Sequence, residues 1–238
     1  MGVRIATNIA SQSVQKNLKE VSNAGNAELE KLSSGKRITK AADDAAGLAI
    51  STNLEAQTKG LRQATRNAND GVSLVQTAEG GLAETSNILV RLRELTIQAA
   101  SDTVGEQERG FLDKEYQQLA LEIDRISEST TFNGSQLLNG KGKGSMDFQV
   151  GAFAGEQNKI TFDSSATDSS ASSIGVSGTS ISEKDSALDA ISNVDLAIEK
   201  VSGQRADLGS IQSRLQSTVK NLETQTINQD SARSVIQD

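Results

Sequence analysis

Residues Leu54–Ala100 read LEAQTKGLRQATRNANDGVSLVQTAEGGLAETSNILVRLRELTIQAA, and their spacing decides the fold. One series of positions seven apart runs Leu54, Leu61, Ala68, Val75, Leu82, Leu89 and Thr96. A second, three places later, runs Gln57, Ala64, Gly71, Ala78, Thr85, Leu92 and Ala99. Together they form the a/d seam of a helix packed lengthwise on a partner. The second series is mostly small, so neighbours approach closely. A helix from about Asn53 to Ala100 is roughly 70 Å long at about 1.5 Å per residue. That length exceeds the usual globular helix and points to a coiled coil or helical bundle.

Outward from this segment, SDTVGEQ (Ser101–Gln107) interrupts the pattern. A second helix is expected over Glu106–Ser129, where Leu112, Tyr116, Leu119, Ile123 and Ile126 share one face. The heptad returns with Val194, Val201, Leu208, Leu215 and Leu222. Ile191, Ile198 and Val219 sit in the companion series, with Arg205 and Gln212 as polar breaks, so a third long helix is expected over Glu183–Asp230. Val14, Leu18, Val21, Leu29 and Leu32 mark a helix near the N-terminus with no obvious partner. An apolar face of that kind waits for another molecule. TFNG (Thr131–Gly134) and NGKGKG (Asn139–Gly144) read as turns. Met146–Asp163 changes to a period of two and predicts a β-hairpin. Residues Ser164–Ser182, rich in Ser, Thr, Ala and Gly, read as an exposed, flexible connection. The fold class is therefore mainly α: a long antiparallel helical bundle or coiled-coil rod with a small β-hairpin region.

Composition agrees. The chain has 238 residues, room for one or two domains, and only 3% aromatics. Apolar area must come from long seams of aliphatic side chains rather than from bulky rings. Proline is absent, so no ring interrupts a helix. The net charge of −7 opposes binding to nucleic acid or anionic membranes. No run approaches eighteen apolar residues, so no membrane insertion is expected. MGVRIATNIASQSV lacks the plan of a Sec-type signal peptide.

Chemistry finds little to work with. Cysteine and histidine are absent, which removes thiol nucleophiles, Ser–His triads and ordinary zinc sites. The stretch LSSGKRITKAADDAAGLAIS (Leu32–Ser51) contains Gly35–Lys36–Arg37, but it fails as a phosphate loop. Glu30 stands where the upstream glycine belongs, and Arg37 stands where Ser or Thr should follow the lysine. Asp43 and Asp44 point about 100° apart if helical, and the alternate spacing of a calcium loop is missing. No catalytic, cofactor or metal residues are assigned, and an enzyme is not expected. VRLREL (Val90–Leu95) sets Arg91 beside Glu94 and Leu95 across one turn. Asn133–Gly134–Ser135 matches an N-glycosylation pattern, but Asn-Gly also suits a turn.

The Leu32–Ser51 stretch resembles the signature region of bacterial flagellins. The resemblance continues through GLRQATRNANDGVSLVQTAEGGLAE (Gly60–Glu84), ILVRLRELTIQAASDT (Ile88–Thr103) and EIDRISESTTFNGSQLL (Glu122–Leu138), and TNIASQSVQKNL (Thr7–Leu18) fits as well. It implies an inner N-terminal helix over 1–32 and a spoke over 33–53 that packs between subunits through Lys36, Arg37, Asp43 and Asp44. It implies a rod domain whose first part, two helices plus hairpin, covers 54–163. The flexible connection follows over 164–182, a site for O-glycosylation in some relatives. The rod's C-terminal helix would cover 183–230, and the start of a C-terminal inner segment 231–238. Flagellins continue beyond SARSVIQD with a further helix, so the resemblance implies that this C-terminal helix is lacking here. The implied function is self-assembly into the flagellar filament for motility, outside the cell. The implied partners are other flagellin subunits in a helical homopolymer, the flagellar type III export machinery, and the filament cap and junction proteins. An animal Toll-like receptor is a further implied partner, contacting Arg91, Arg93, Glu94, Leu95 and Glu115. The alternatives are a hook–filament junction protein or a secreted receptor-binding module.

Overall fold

The computed structural model describes residues 8–238. Four long helices dominate: α1 (Ile9–Ser34), α2 (Ala45–Ala100), α3 (Glu106–Ser129) and α5 (Lys184–Gln237). Between α3 and α5 lie two hairpins, β1 (Thr131–Phe132) with β2 (Ser135–Gln136), and β3 (Ser145–Gln149) with β4 (Lys159–Asp163), then the short helix α4 (Ala171–Ile174). The chain divides into two compact units. One holds residues up to Gly60 together with Thr224–Asp238, and the other holds Leu61–Glu223. Helices α2 and α5 contribute to both.

In the Leu61–Glu223 unit the heptad does what its spacing demands. Leu61, Ala68, Val75, Leu82, Leu89 and Thr96 are all buried, as are Ala64, Gly71, Ala78, Thr85, Leu92 and Ala99. From Ala68 onward the apolar members join Val194, Val201, Leu208 and Leu215 of α5 and Tyr116 and Ile123 of α3 in one core, while Leu61 and Ala64 form a smaller cluster with Leu222. Cross-helix contacts fix direction. Arg93 pairs with Asp195, Glu79 with Arg205, and Gly71 faces Leu215, so α2 and α5 run antiparallel. Arg91 of α2 pairs with Glu115 of α3 while Arg109 reaches back to Ala99, so α3 is antiparallel to α2 too.

The first hairpin turns at Asn133 (φ 48) and Gly134 (φ 75), so both corner residues lie in the left-handed region. A two-residue turn with two positive φ values is why Asn-Gly stands there. The second hairpin pairs Ser145 with Asp163 through to Gln149 with Lys159.

Three sequence expectations are corrected. Helix α2 starts at Ala45 rather than Asn53, because Asp44 caps it: the Asp44 side chain accepts from Gly47 N at 2.9 Å. The irregular part of the connector is therefore only residues 35–44. Helix α5 runs on to Gln237 although its apolar heptad stops at Leu222; with neither proline nor an interior stop signal, the helix continues on propensity. The 164–182 segment is not an exposed connection. Ser164, Thr167, Ser169, Ala171, Ile174, Val176 and Ile181 are all buried. Its backbone is stitched to both neighbouring helices: Asp113 accepts from Ile181 N, Asp124 from Ala171 N, and Gln204 donates to the carbonyls of Ala166 and Asp168. The hydroxyls of Ser164, Thr167 and Ser169 are enclosed, so only outward residues such as Ser165, Ser172, Ser177 and Ser182 could carry a glycan.

The other unit has little core. Helix α1 is capped at both ends, by Asn8 accepting from Ser11 N and by Gly35 in the left-handed region, yet it buries no residue. Ile9, Val14, Leu18, Val21, Leu29 and Leu32 are each at least 63% exposed, so only caps and exposed ion pairs such as Lys40–Glu30 and Lys16–Glu20 support the helix in the free chain. Helical stability in proteins comes mostly from tertiary packing of an apolar face, and α1 buries none of its own. Hydrogen exchange of the monomer should therefore be fast across α1 and slow at Ser169, Ala171 and Ile181. Equal protection of the two regions would contradict this ordering.

Candidate functional site

Two surfaces carry the residues singled out by sequence. In the Leu61–Glu223 unit, Arg91 lies on α2 and Glu115 on α3. The Arg91 Nε and Nη2 donate to Glu115 Oε1 at 3.0 and 2.8 Å, while Nη1 donates to Glu94 Oε2 at 3.0 Å. Glu115 first and Glu94 second push the Arg91 guanidinium above its ordinary pKa. Arg93 Nε donates to Asp195 Oδ1 of α5 at 2.6 Å, which raises its pKa likewise. All these groups are about half exposed, so they form a patterned charged surface spanning three helices. Surface pairs of this kind add little stability; what they fix is the orientation of the side chains.

Leu95 does not belong to that surface. It is fully buried in the core, because its position falls on the inward face of α2 one turn after Leu92. The sequence expectation that it offers a contact is corrected. Any effect of substituting it passes through packing.

In the other unit, the connector's charged residues are largely spent within the chain. Asp43 Oδ2 accepts from Thr39 N, Thr39 Oγ1 and Lys40 N, each at 3.1 Å. The backbone N–H groups of Thr39 and Lys40, then the Thr39 hydroxyl, hold its carboxyl below the usual carboxylate range. Asp44 is the α2 cap. Arg37 donates from Nη2 to Ile236 O at 2.8 Å, and its backbone N–H donates to Gln237 O at 2.8 Å, so it ties the connector to the last turn of α5. A cation at a helix C-terminus complements the unpaired carbonyls there. Lys40 pairs with Glu30 of α1. Lys36 is exposed, and among the described residues it joins no ion pair.

Sequence reasoning missed Arg109, Asp113, Asp124 and Gln204. Each is a polar side chain aimed at a loop backbone, and no periodicity marks such a residue in advance.

A connector satisfied from within in one unit, and long antiparallel helices with a hairpin in the other, are the setting in which the comparisons with known proteins fall. The bacterial flagellin N-terminal helical region matches residues 5–143, and the bacterial flagellin C-terminal helical region matches 191–238. The chain belongs to the bacterial flagellin family. It is 42% identical to the flagellin of Halalkalibacterium halodurans over 231 residues, 97% of this chain and 84% of that protein. It is 38% identical to the flagellar filament 31.3 kDa core protein of Treponema maltophilum, covering 89% of this chain and 78% of that one. The crystal structure of Bacillus cereus flagellin aligns with a TM-score of 0.59 at 32% identity, covering 66% of this chain and 88% of that one. The function of this flagellin is structural, that of a subunit of the flagellar filament. Flagellins are not an enzyme family, and its relatives form the extracellular filament. A C-terminal flagellin region is thus present over 191–238.

Proposed function

We propose that the chain polymerises through the apolar face of α1 and the connector, with contacts that run head to tail and do not close, so that growth yields a tube. The supporting observation is α1 itself. Its six large apolar residues are exposed, and among the described residues no side chain of α1 is buried. A sequence does not maintain such a face for water. In this reading the exposed Lys36 faces a neighbouring subunit, while Arg37, Asp43 and Asp44 shape the connector from within. Assembly requires export through the flagellar type III channel, and placement by cap and junction proteins. No catalytic role is assigned. Negative-stain electron microscopy after salt-induced polymerisation, with native filaments as seeds, tests the reading. Long filaments are expected. Monomers persisting beside active seeds, with helical circular dichroism intact, would overturn self-assembly of this chain.

We also propose that an animal Toll-like receptor reads the Arg91, Arg93, Glu94 and Glu115 surface. The support is that α2 and α3 bring Arg91 and Glu115 into one exposed cluster although they lie far apart in sequence. Arg91→Ala removes the donor that orients both carboxylates. Receptor activation by the variant should fall several-fold with helicity unchanged. An unaltered dose–response curve would sink the assignment.

A further inference from the structure

A cleft of about 570 Å³ opens on the Leu61–Glu223 unit where α2 meets the two hairpins. Its walls are the rings of Phe132 and Phe148, and its rim carries Asn67, Asp70, Asp147 and Gln149. The walls are held firmly. Phe148 lies against Gly71, where a Cβ would come within 3.2 Å of the ring, so a bare backbone seats it. Asn67 Nδ2 donates to Gln149 O at 3.0 Å and ties β3 to α2. Asp147 is engaged: Oδ1 accepts from Thr161 Oγ1 at 2.7 Å, and Lys159 stands 3.5 Å from Oδ2. Asp70 is different. Its side chain is exposed at the rim, and among the described residues it joins no ion pair. Two aromatic walls below a free carboxylate suit a long aliphatic stem ending in a cation.

The same unit presents such stems elsewhere. The loop Asn139–Gly144 carries Lys141 and Lys143, both exposed and neither in an ion pair among the described residues. By contrast Lys184 is paired with Asp102, and Lys200 donates to the Ser173 carbonyl. The loop is held in shape. Gly140 and Gly144 take positive φ, and the Asn139 side chain accepts from Lys141 N at 3.0 Å. A Cβ at Gly142 would run into the Gln136 carbonyl oxygen, so the backbone is pressed against β2. Two lysines are therefore projected from a shaped loop, and although the Asp168 carboxylate lies against Gly140, neither lysine is ion-paired with it.

We propose that this cleft receives the Lys141–Lys143 loop of a second copy of the chain. Cleft and loop are different surfaces of one unit, and in a helical filament each copy offers its loop to one neighbour and its cleft to another, so the contact is heterologous and propagates instead of closing into a dimer. It rests on the filament-subunit reading and deepens it, by naming a second contact besides α1 and the connector. Lysine stems lie between Phe132 and Phe148, and an ammonium group reaches Asp70. Charge complementarity of this sort sets register more than strength.

Charge exchange in the full chain tests it. Asp70→Lys alone, and Lys141→Asp with Lys143→Asp, each place like charges together across the contact. Each should raise the critical concentration for filament formation about tenfold or more at physiological ionic strength, because like-charge juxtaposition is strongly unfavourable. Combining all three substitutions restores opposite charges and should return the critical concentration close to that of the unmodified chain. Circular dichroism checks that every variant keeps its helices, which is expected because all three residues are exposed. If either charge-reversed set assembles as the unmodified chain does, or if the combination assembles no better than its weaker parent, the contact is wrong while the filament reading stands. If the unmodified chain itself forms no filament, the filament reading fails and this contact falls with it.

Discussion

Leu82→Ala should lower the unfolding free energy by about 3.5 kcal/mol, the middle of the range for emptying a buried leucine site. Leu82 is fully buried at the seam of α2, in the same core as Val75, Leu89, Leu138 and Leu208. The cost has two parts, the lost transfer of the isobutyl group and the void that long helices cannot collapse to fill. Helix ladders on both sides resist local movement, so the void persists. Leu196→Ala makes the comparison sharp. Leu196 lies on α5 but is 63% exposed, and its truncation should fall within about 0.5 kcal/mol of no change. Urea unfolding of both variants, followed by circular dichroism, separates the seam from the surface. Equal losses at the two sites would mean that the heptad does not carry the stability of the bundle.

The seam was legible because helical packing is periodic and periodicity survives in one dimension. Leu61 through Thr96 could be assigned to a buried face from spacing alone, and the structure buries every member of that run. The limits of α3 were equally plain, since SDTVGEQ breaks the pattern before it and TFNG turns the chain after it, and the structure gives Glu106–Ser129. What could not be read was whatever depends on a backbone meeting a distant side chain. The 164–182 segment has the composition of a solvated linker, and only the placement of Asp113, Asp124 and Gln204 on helices far along the chain turns it inward. The start of α2 was missed for a local reason. Asp43–Asp44 looked like a charge pair, whereas each carboxylate caps backbone N–H groups, Asp43 those of Thr39 and Lys40 and Asp44 that of Gly47. Leu95 illustrates the converse error. Resemblance placed it on a contact surface, but its position on the inward face of α2 puts it in the core.

Arg109→Ala is expected to cost about 2–4 kcal/mol, which is a large loss for a residue with no place in the apolar pattern. Arg109 is 9% exposed, and its guanidinium donates from Nε to Ala99 O at 2.8 Å and from Nη2 to Ser101 O at 3.0 Å. The last carbonyls of any helix lack an intrahelical donor, and here α2 ends in a short turn under α3. One cation supplies two charge-assisted bonds and also opposes the partial negative charge at the helix terminus. Alanine removes both bonds and leaves Ala99 O, in the buried last turn, short of a partner. Lysine keeps the charge but not the fork, so Arg109→Lys should fall between the two. Chemical unfolding of the three proteins gives the order arginine, lysine, alanine from most to least stable. Proteolysis of the folded alanine variant should begin within residues 101–105, where the turn has lost its tie to α3. A loss under about 0.5 kcal/mol would mean that water replaces the guanidinium at no cost. The Lys184–Asp102 pair at 2.7 Å would then be left as the contact that holds the turn.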